Sequence, residues 1–92
     1  GAIGNTTFFS NLKEDFQFDF NLYPNPSSGI INVQSIGIIN RIEVRSITGK
    51  LVYKDSFDTS KIEIQLDNLE VGIYFVTVES DGEELTKRIV IL

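Results

Sequence analysis

"GIYFVTVESDGEELTKRIVIL", Gly72 to Leu92, is the stretch on which the fold turns. Its first part alternates. Tyr74, Val76 and Val78 fall on one side of an extended chain and Ile73, Phe75 and Thr77 on the other, because successive strand residues point to opposite faces. The outward Ile73 and Phe75 are expected to be covered by the N-terminal segment with its Phe8 and Phe9, the alternative being a contact patch. Asp81-Gly82 then supplies a pair suited to a two-residue type I′ turn, whose central positions both take positive φ. The chain returns through "EELTKRIVIL", with Ile89 and Ile91 on one face and Val90 and Leu92 on the other. These features predict an antiparallel hairpin. Its last four residues are all β-formers and lack the charge or proline that blunts an exposed edge, so the strand is either held between neighbours or presented to a partner.

The same period extends upstream. "FQFDFNLY", Phe16 to Tyr23, puts Phe16, Phe18, Phe20 and Leu22 on one face against Gln17, Asp19 and Asn21. "IINVQS" offers Ile31 and Val33, "RIEVRS" offers Ile42 and Val44, and "KIEIQL" offers Ile62, Ile64 and Leu66 to one side, with polar or charged residues opposite. In "KLVYK" Val52 shares a face with the lysines, which leaves its inward side open. Thr48-Gly49 is expected to join the third and fourth strands as Asp81-Gly82 joins the last two. No window carries a helical period. Seven short strands separated by turn residues predict an all-β fold, a seven-stranded immunoglobulin-like antiparallel β-sandwich over residues 16–92. Residues 1–15 show no sustained period and are expected to be a linker or the end of a preceding region. An "NTT" sequon at Asn5 is read as a chance match.

Composition narrows the chemistry. Hydrophobic residues make up 41% of the 92, enough for a packed core. Cysteine and histidine are both absent, which removes disulfides, thiolate metal sites, the commonest general base and the usual partner of a catalytic serine. No catalytic, metal or cofactor site is expected; Asp55, Asp58, Glu83 and Glu84 are read as solvated charge. The net charge of −5, with scattered cations, argues against nucleic acid. No apolar run is long enough to span a bilayer, and the N-terminal residues lack a signal-peptide layout, so any export signal is expected to lie upstream.

Two local features are architectural on their own terms. In "LEVGIYF", Leu69, Gly72 and Tyr74 suggest a tyrosine corner, in which the phenol hydroxyl returns to a backbone group a few residues upstream. In "NLYPNPSSG", Asn21 to Gly29, Pro24 and Pro26 remove two ladder donors, and Ser27, Ser28 and Gly29 permit a reversal into the next strand, which makes a corner.

Taken in order, these landmarks resemble a known family. Leu22, Tyr23, Pro24, Asn25, Pro26 and Gly29; then Gly49 and Lys50; then Leu69, Gly72, Ile73, Tyr74, Val76 and Val78; then Lys87, Arg88, Ile89 and Val90 are similar to the C-terminal sorting domains of type A cargo proteins of the type IX secretion system. The similarity covers residues 20–92. It departs from the family before Gly49, where Ser46-Ile47-Thr48 replaces an acidic residue often found there. The resemblance implies an immunoglobulin-like domain that follows a linker and directs an upstream passenger from the periplasm across the outer membrane. It further implies partners in the translocation machinery and its sortase-like peptidase, removal of the domain on export, and a passenger at the cell surface or secreted. On this reading "KRIVIL" is the main address, reached by strand addition to an unpaired edge, and the proline corner shapes the signal. The alternative is an immunoglobulin-like adhesion or carbohydrate-binding module. It is disfavoured by the absence of Trp and by tyrosines that all lie in expected strands or beside proline.

Overall fold

The computed structural model describes residues 18–92, which form an all-β antiparallel domain of five strands: β1 (Phe20–Tyr23), β2 (Ile30–Ser46), β3 (Leu51–Gln65), β4 (Gly72–Ser80) and β5 (Glu83–Ile91). The expected seven strands are thus five. The two missing breaks fall where the sequence carries Gly37 and where it carries Asp55 to Ser60, yet the chain runs through both as strand. Neither stretch contains proline, so the chain stays extended through both, although Ile36 to Ile38 of β2 and Phe57 and Asp58 of β3 have no partner in the register.

The bends appear as register shifts. The first part of β2 pairs with β1 and with the end of β3, through Leu22 opposite Val33 and Ile31 opposite Ile64. The second part pairs with β4 and the start of β3, through Val44 opposite Val76 and Tyr53. Between them the β2–β3 pairing slips from Gln34↔Lys61 to Ile39↔Thr59 and again to Arg41↔Ser56. Extra residues in one strand bend and twist it, as bulges do.

Both parts bury their apolar faces in one core. Phe20, Ile31, Val33 and Ile64 from the first part join Ile42, Val44, Val76, Val78 and Ile89 from the second. Full burial of such side chains contributes about 1.5–3 kcal/mol each before conformational entropy is counted. The alternation expected for β1, β2, β4 and β5 holds: Tyr74, Val76 and Val78 are inside while Phe75 is 37% exposed. Val52 and Tyr53 both pack against the core, because the slip between Val44 and Arg45 leaves Val52 without an opposite number.

Both anticipated turns form, with different chemistry. Asp81 (φ 54°) and Gly82 (φ 86°) make the two-residue turn that the sequence predicts. At the β2–β3 turn only Gly49 has positive φ (92°). Its N–H donates to the Ser46 carbonyl at 2.9 Å, and the Ser46 N–H to that of Lys50 at 2.8 Å. This is a longer loop closed by glycine in place of the expected Thr48-Gly49 turn, consistent with the cost of positive φ at a β-branched residue.

The β2 bend has a specific packing requirement. A Cβ at Gly37 would lie 2.8 Å from Oγ of buried Ser80. Gly37→Ala is therefore expected to destabilise the domain by about 1–2 kcal/mol. Ser80→Ala removes the opposing oxygen, so a double-mutant cycle by denaturant unfolding should recover much of that loss.

Candidate functional site

Four sequence-distant segments meet at one end of the sheet: the proline corner, the β2–β3 loop, the start of β4 and the end of β5. The register brings them there, with Ser46 opposite Tyr74, Gly72 opposite Ile91, and Ser27 bridged in parallel to Ile91.

The central contact is between the corner and β5. The Ser27 N–H donates to the Val90 carbonyl and the Leu92 N–H donates to the Ser27 carbonyl, both at 2.8 Å. Two residues earlier, Asn25 reproduces the pattern with its side chain: Nδ2 donates to the Arg88 carbonyl at 3.2 Å and Oδ1 accepts from the Val90 N–H at 3.1 Å. Pro24 and Pro26, which both follow cis peptide bonds, offer no N–H to a neighbouring strand. The bonds to β5 therefore come from Asn25 and Ser27, between and after the prolines. The outer edge of β5 is occupied from Arg88 to Leu92. An unpaired edge there, on which recognition by strand addition was expected to act, is not what the fold presents.

Ser27 is the hub. It is 2% exposed, its hydroxyl donates to the Ile30 carbonyl at 2.7 Å, and the Gly29 N–H donates to Oγ at 3.0 Å. Gly29 (φ 124°) accepts a 2.7 Å bond from the Leu66 N–H, and a Cβ on it would sit 3.3 Å from the Leu66 carbonyl. The corner thus fastens to β5 on one side and to the end of β3 on the other. Sequence reasoning treated Ser27 as a turn residue only; a small hydroxyl residue between proline and glycine was the available signal, but its burial was not legible.

The other motif residues divide between architecture and surface. The Tyr74 hydroxyl donates to the Glu70 carbonyl at 2.7 Å, closing the tyrosine corner, and Leu69 packs against the core. Ile89 is fully buried. Lys87 turns inward: its ammonium donates to the Phe20 carbonyl at 2.6 Å, pairs with Asp19 at 2.9 Å, and lies 5.2 Å from the centre of the Phe20 ring. These contacts tie β5 to β1. Arg88, Lys50, Tyr23, Pro24, Asn25 and Pro26 are exposed, and Leu22, Gly72 and Val90 are half-buried. Among the described residues no group of three or more acidic, His or Cys side chains could hold a metal ion. Nor is any helix there long and apolar enough to cross a membrane.

The arrangement defines a small antiparallel all-β domain similar in fold to two solved structures, one of them an immunoglobulin-like β-sandwich. PorZ, an essential surface component of the type IX secretion system of Porphyromonas gingivalis, superposes with a TM-score of 0.66 at 17% identity over 79% of this chain, which spans 11% of PorZ. A Bacteroides vulgatus protein with an immunoglobulin-like β-sandwich fold superposes with a TM-score of 0.63 at 14% identity, covering 83% of this chain and 95% of that one. At these identities the likeness speaks for the fold alone. No curated protein matches the sequence. Residues 21–92 match the family described as the secretion system C-terminal sorting domain, and the chain belongs to that family of type IX sorting domains. Membership implies interaction with the type IX machinery and a passenger domain, and export to the cell surface or secretion.

Two measurements probe the clamp on β5. Asn25→Ala should cost about 1 kcal/mol, with hydrogen exchange at the Val90 amide quickened about fivefold or more while the β2–β4 amides are unchanged. The Lys87 hydrogen bond, then the Phe20 N–H, hold the Asp19 carboxyl below its ordinary range. A depressed native pKa stabilises the fold above the unfolded value of about 3.9 and loses that contribution as pH falls through the lower native value. The melting-temperature gap between wild type and Asp19→Asn should be small, because the pair is exposed, steady above about pH 5, and shrink towards pH 2.

Proposed function

We infer that this domain is a non-enzymatic secretion signal that carries an upstream passenger across the outer membrane through the type IX machinery. The passenger precedes residues 1–15, which serve as the linker, and residues 16–92 are the sorting domain. The periplasm is the compartment of transit, and a sortase-like peptidase cuts within the linker to leave the passenger at the surface or in the medium. The bends in β2 and β3 act as the turning points between the layers of an immunoglobulin-like sandwich.

The observation that supports this reading best is the meeting of the four motifs at one end. Residues that serve folding alone need not share a location. Here Asn25, Gly49-Lys50, Gly72 and Arg88 come from four different segments and frame one end of one sheet. With the edge of β5 covered by Asn25 and Ser27, recognition falls to the side chains of this end and its solvent face, in place of main-chain pairing with an open strand.

Fusing the 92-residue chain behind a reporter that carries its own periplasmic signal, in a bacterium with a working type IX system, should move the reporter to the surface or medium. The same reporter without the chain should stay in the periplasm. Retention of the fused, folded reporter would overturn the reading.

A further inference from the structure

On the solvent face of the sheet, at the end where the motifs meet, one row of side chains points away from the core, and of its two cations only Arg45 is engaged within the domain, with Glu43 and the Gly49 carbonyl. Arg45 on β2, Phe75 on β4 and Arg88 on β5 stand opposite one another across adjacent strands, with Leu51 of β3 opposite Arg45 on its other side. Directly paired residues point to the same face. Phe75 is 37% exposed and Leu51 40%. One step along, Ile73 and Val90 form a half-buried cross-strand pair beside the Phe75 ring. The result is an apolar strip with a guanidinium on either side.

The charge pattern gives the row a direction. The chain carries a net charge of −5, and among the described residues four of the seven cations, Arg41, Arg45, Lys54 and Lys87, have a carboxylate partner. Arg41 pairs with Glu43, Glu79 and Glu84, Arg45 with Glu43 at 3.2 Å, and Lys87 with Asp19. Among the described residues Arg88 has neither a carboxylate partner nor a side-chain hydrogen bond, and Lys50, in the adjoining loop, has no carboxylate partner. The same face is therefore acidic around Arg41, near the Asp81 turn, and basic at the motif end.

Arginine beside an exposed aromatic is the composition of a protein-binding hot spot, and a guanidinium binds a carboxylate in two-point fashion. We propose that the Arg45–Phe75–Arg88 row docks an acidic segment of a partner protein. That segment lays an apolar side chain on Phe75, Ile73 and Val90 and sets carboxylates against Arg88 and Arg45. Charge complementarity selects this partner, and the acidic half of the face repels it from the wrong orientation. The inference rests on the sorting role and names the chemistry of the contact within it.

The test uses the full 92-residue chain with Arg88→Glu, Arg88→Lys, Phe75→Thr and Lys61→Glu, each checked by thermal melting. Lys61 is a third cation without a carboxylate partner among the described residues, and it stands opposite Gln34, away from the row. The probe is a fluorescent Glu–Tyr copolymer, with dextran sulfate as a non-peptide polyanion. The copolymer should bind in a salt-sensitive way, about tenfold more weakly to Arg88→Glu and to Phe75→Thr, and within about twofold of wild type to Arg88→Lys and Lys61→Glu. Equal weakening by Lys61→Glu would mean net charge alone. Equal, Arg88-dependent capture of dextran sulfate would mean a glycan site, and dimers dependent on Phe75 in sedimentation would mean a second copy of the chain. Each of these overturns the proposal, as does unchanged binding by Arg88→Glu. In the reporter assay the Arg88→Glu fusion should be retained and the Lys61→Glu fusion exported. Failure of the wild-type fusion counts against the sorting role; export of wild type and Arg88→Glu alike counts against this surface only.

Discussion

The rest of the structure depends on the seam between Ser27 and the last strand. Without it the backbone of β5 would pair with β4 alone, with a row of unpaired main-chain groups from Arg88 to Leu92 facing solvent. The seam replaces that edge with main-chain bonds at Ser27 and side-chain bonds at Asn25. It also determines where the first strand runs, because β1 leads into the corner alongside β5, and Lys87 fastens to Phe20 and Asp19 earlier along the same path. The prolines belong to this device. A segment in which two prolines remove N–H donors can cover an edge without itself becoming a new strand that invites another partner.

Much of the fold was legible because burial follows a two-residue period that sequence displays openly. Phe20, Ile31, Val33, Ile42, Val44, Ile64, Val76 and Ile89 are all inside, on the faces the alternation assigned. The count of strands was less accessible. Gly37 reads as a break, since glycine weakens a strand, but here it serves close approach to Ser80, and the flanking isoleucines keep the chain extended. Long strands that slip register depend on partners far away in sequence, which a local pattern does not reveal. The Phe8-Phe9 pair, Phe16 and the Asn5 sequon lie outside the described residues.

The candidate site was legible in outline and misread in detail. The tyrosine corner follows from spacing alone and is present. The terminal "KRIVIL", read as one address, separates by strand parity into two kinds of residue. Lys87, Ile89 and Ile91 turn inward to hold β1 and the core, while Arg88 and Val90 turn outward. Parity was visible in the sequence, but the partner of Lys87 was not, because Asp19 and Phe20 are brought to it only by the corner. The same ignorance of tertiary pairing made the last strand look like an open edge.

The separation of Lys87 from Arg88 bears on how one short sequence can serve two masters. A cation beside the core is stabilised by a carbonyl, a carboxylate and a ring that must stay where they are. Its substitution therefore perturbs the fold before it perturbs any contact with a partner. A cation on the solvent face without a carboxylate partner has no such obligation, and in a chain with a surplus of acidic residues an intramolecular partner would be easy to supply. Leaving Arg88 unpaired keeps its desolvation and pairing free energy available to another molecule. Alternation in a strand thus divides labour residue by residue: one parity builds the domain, and the other faces solvent, where the proposed contact lies.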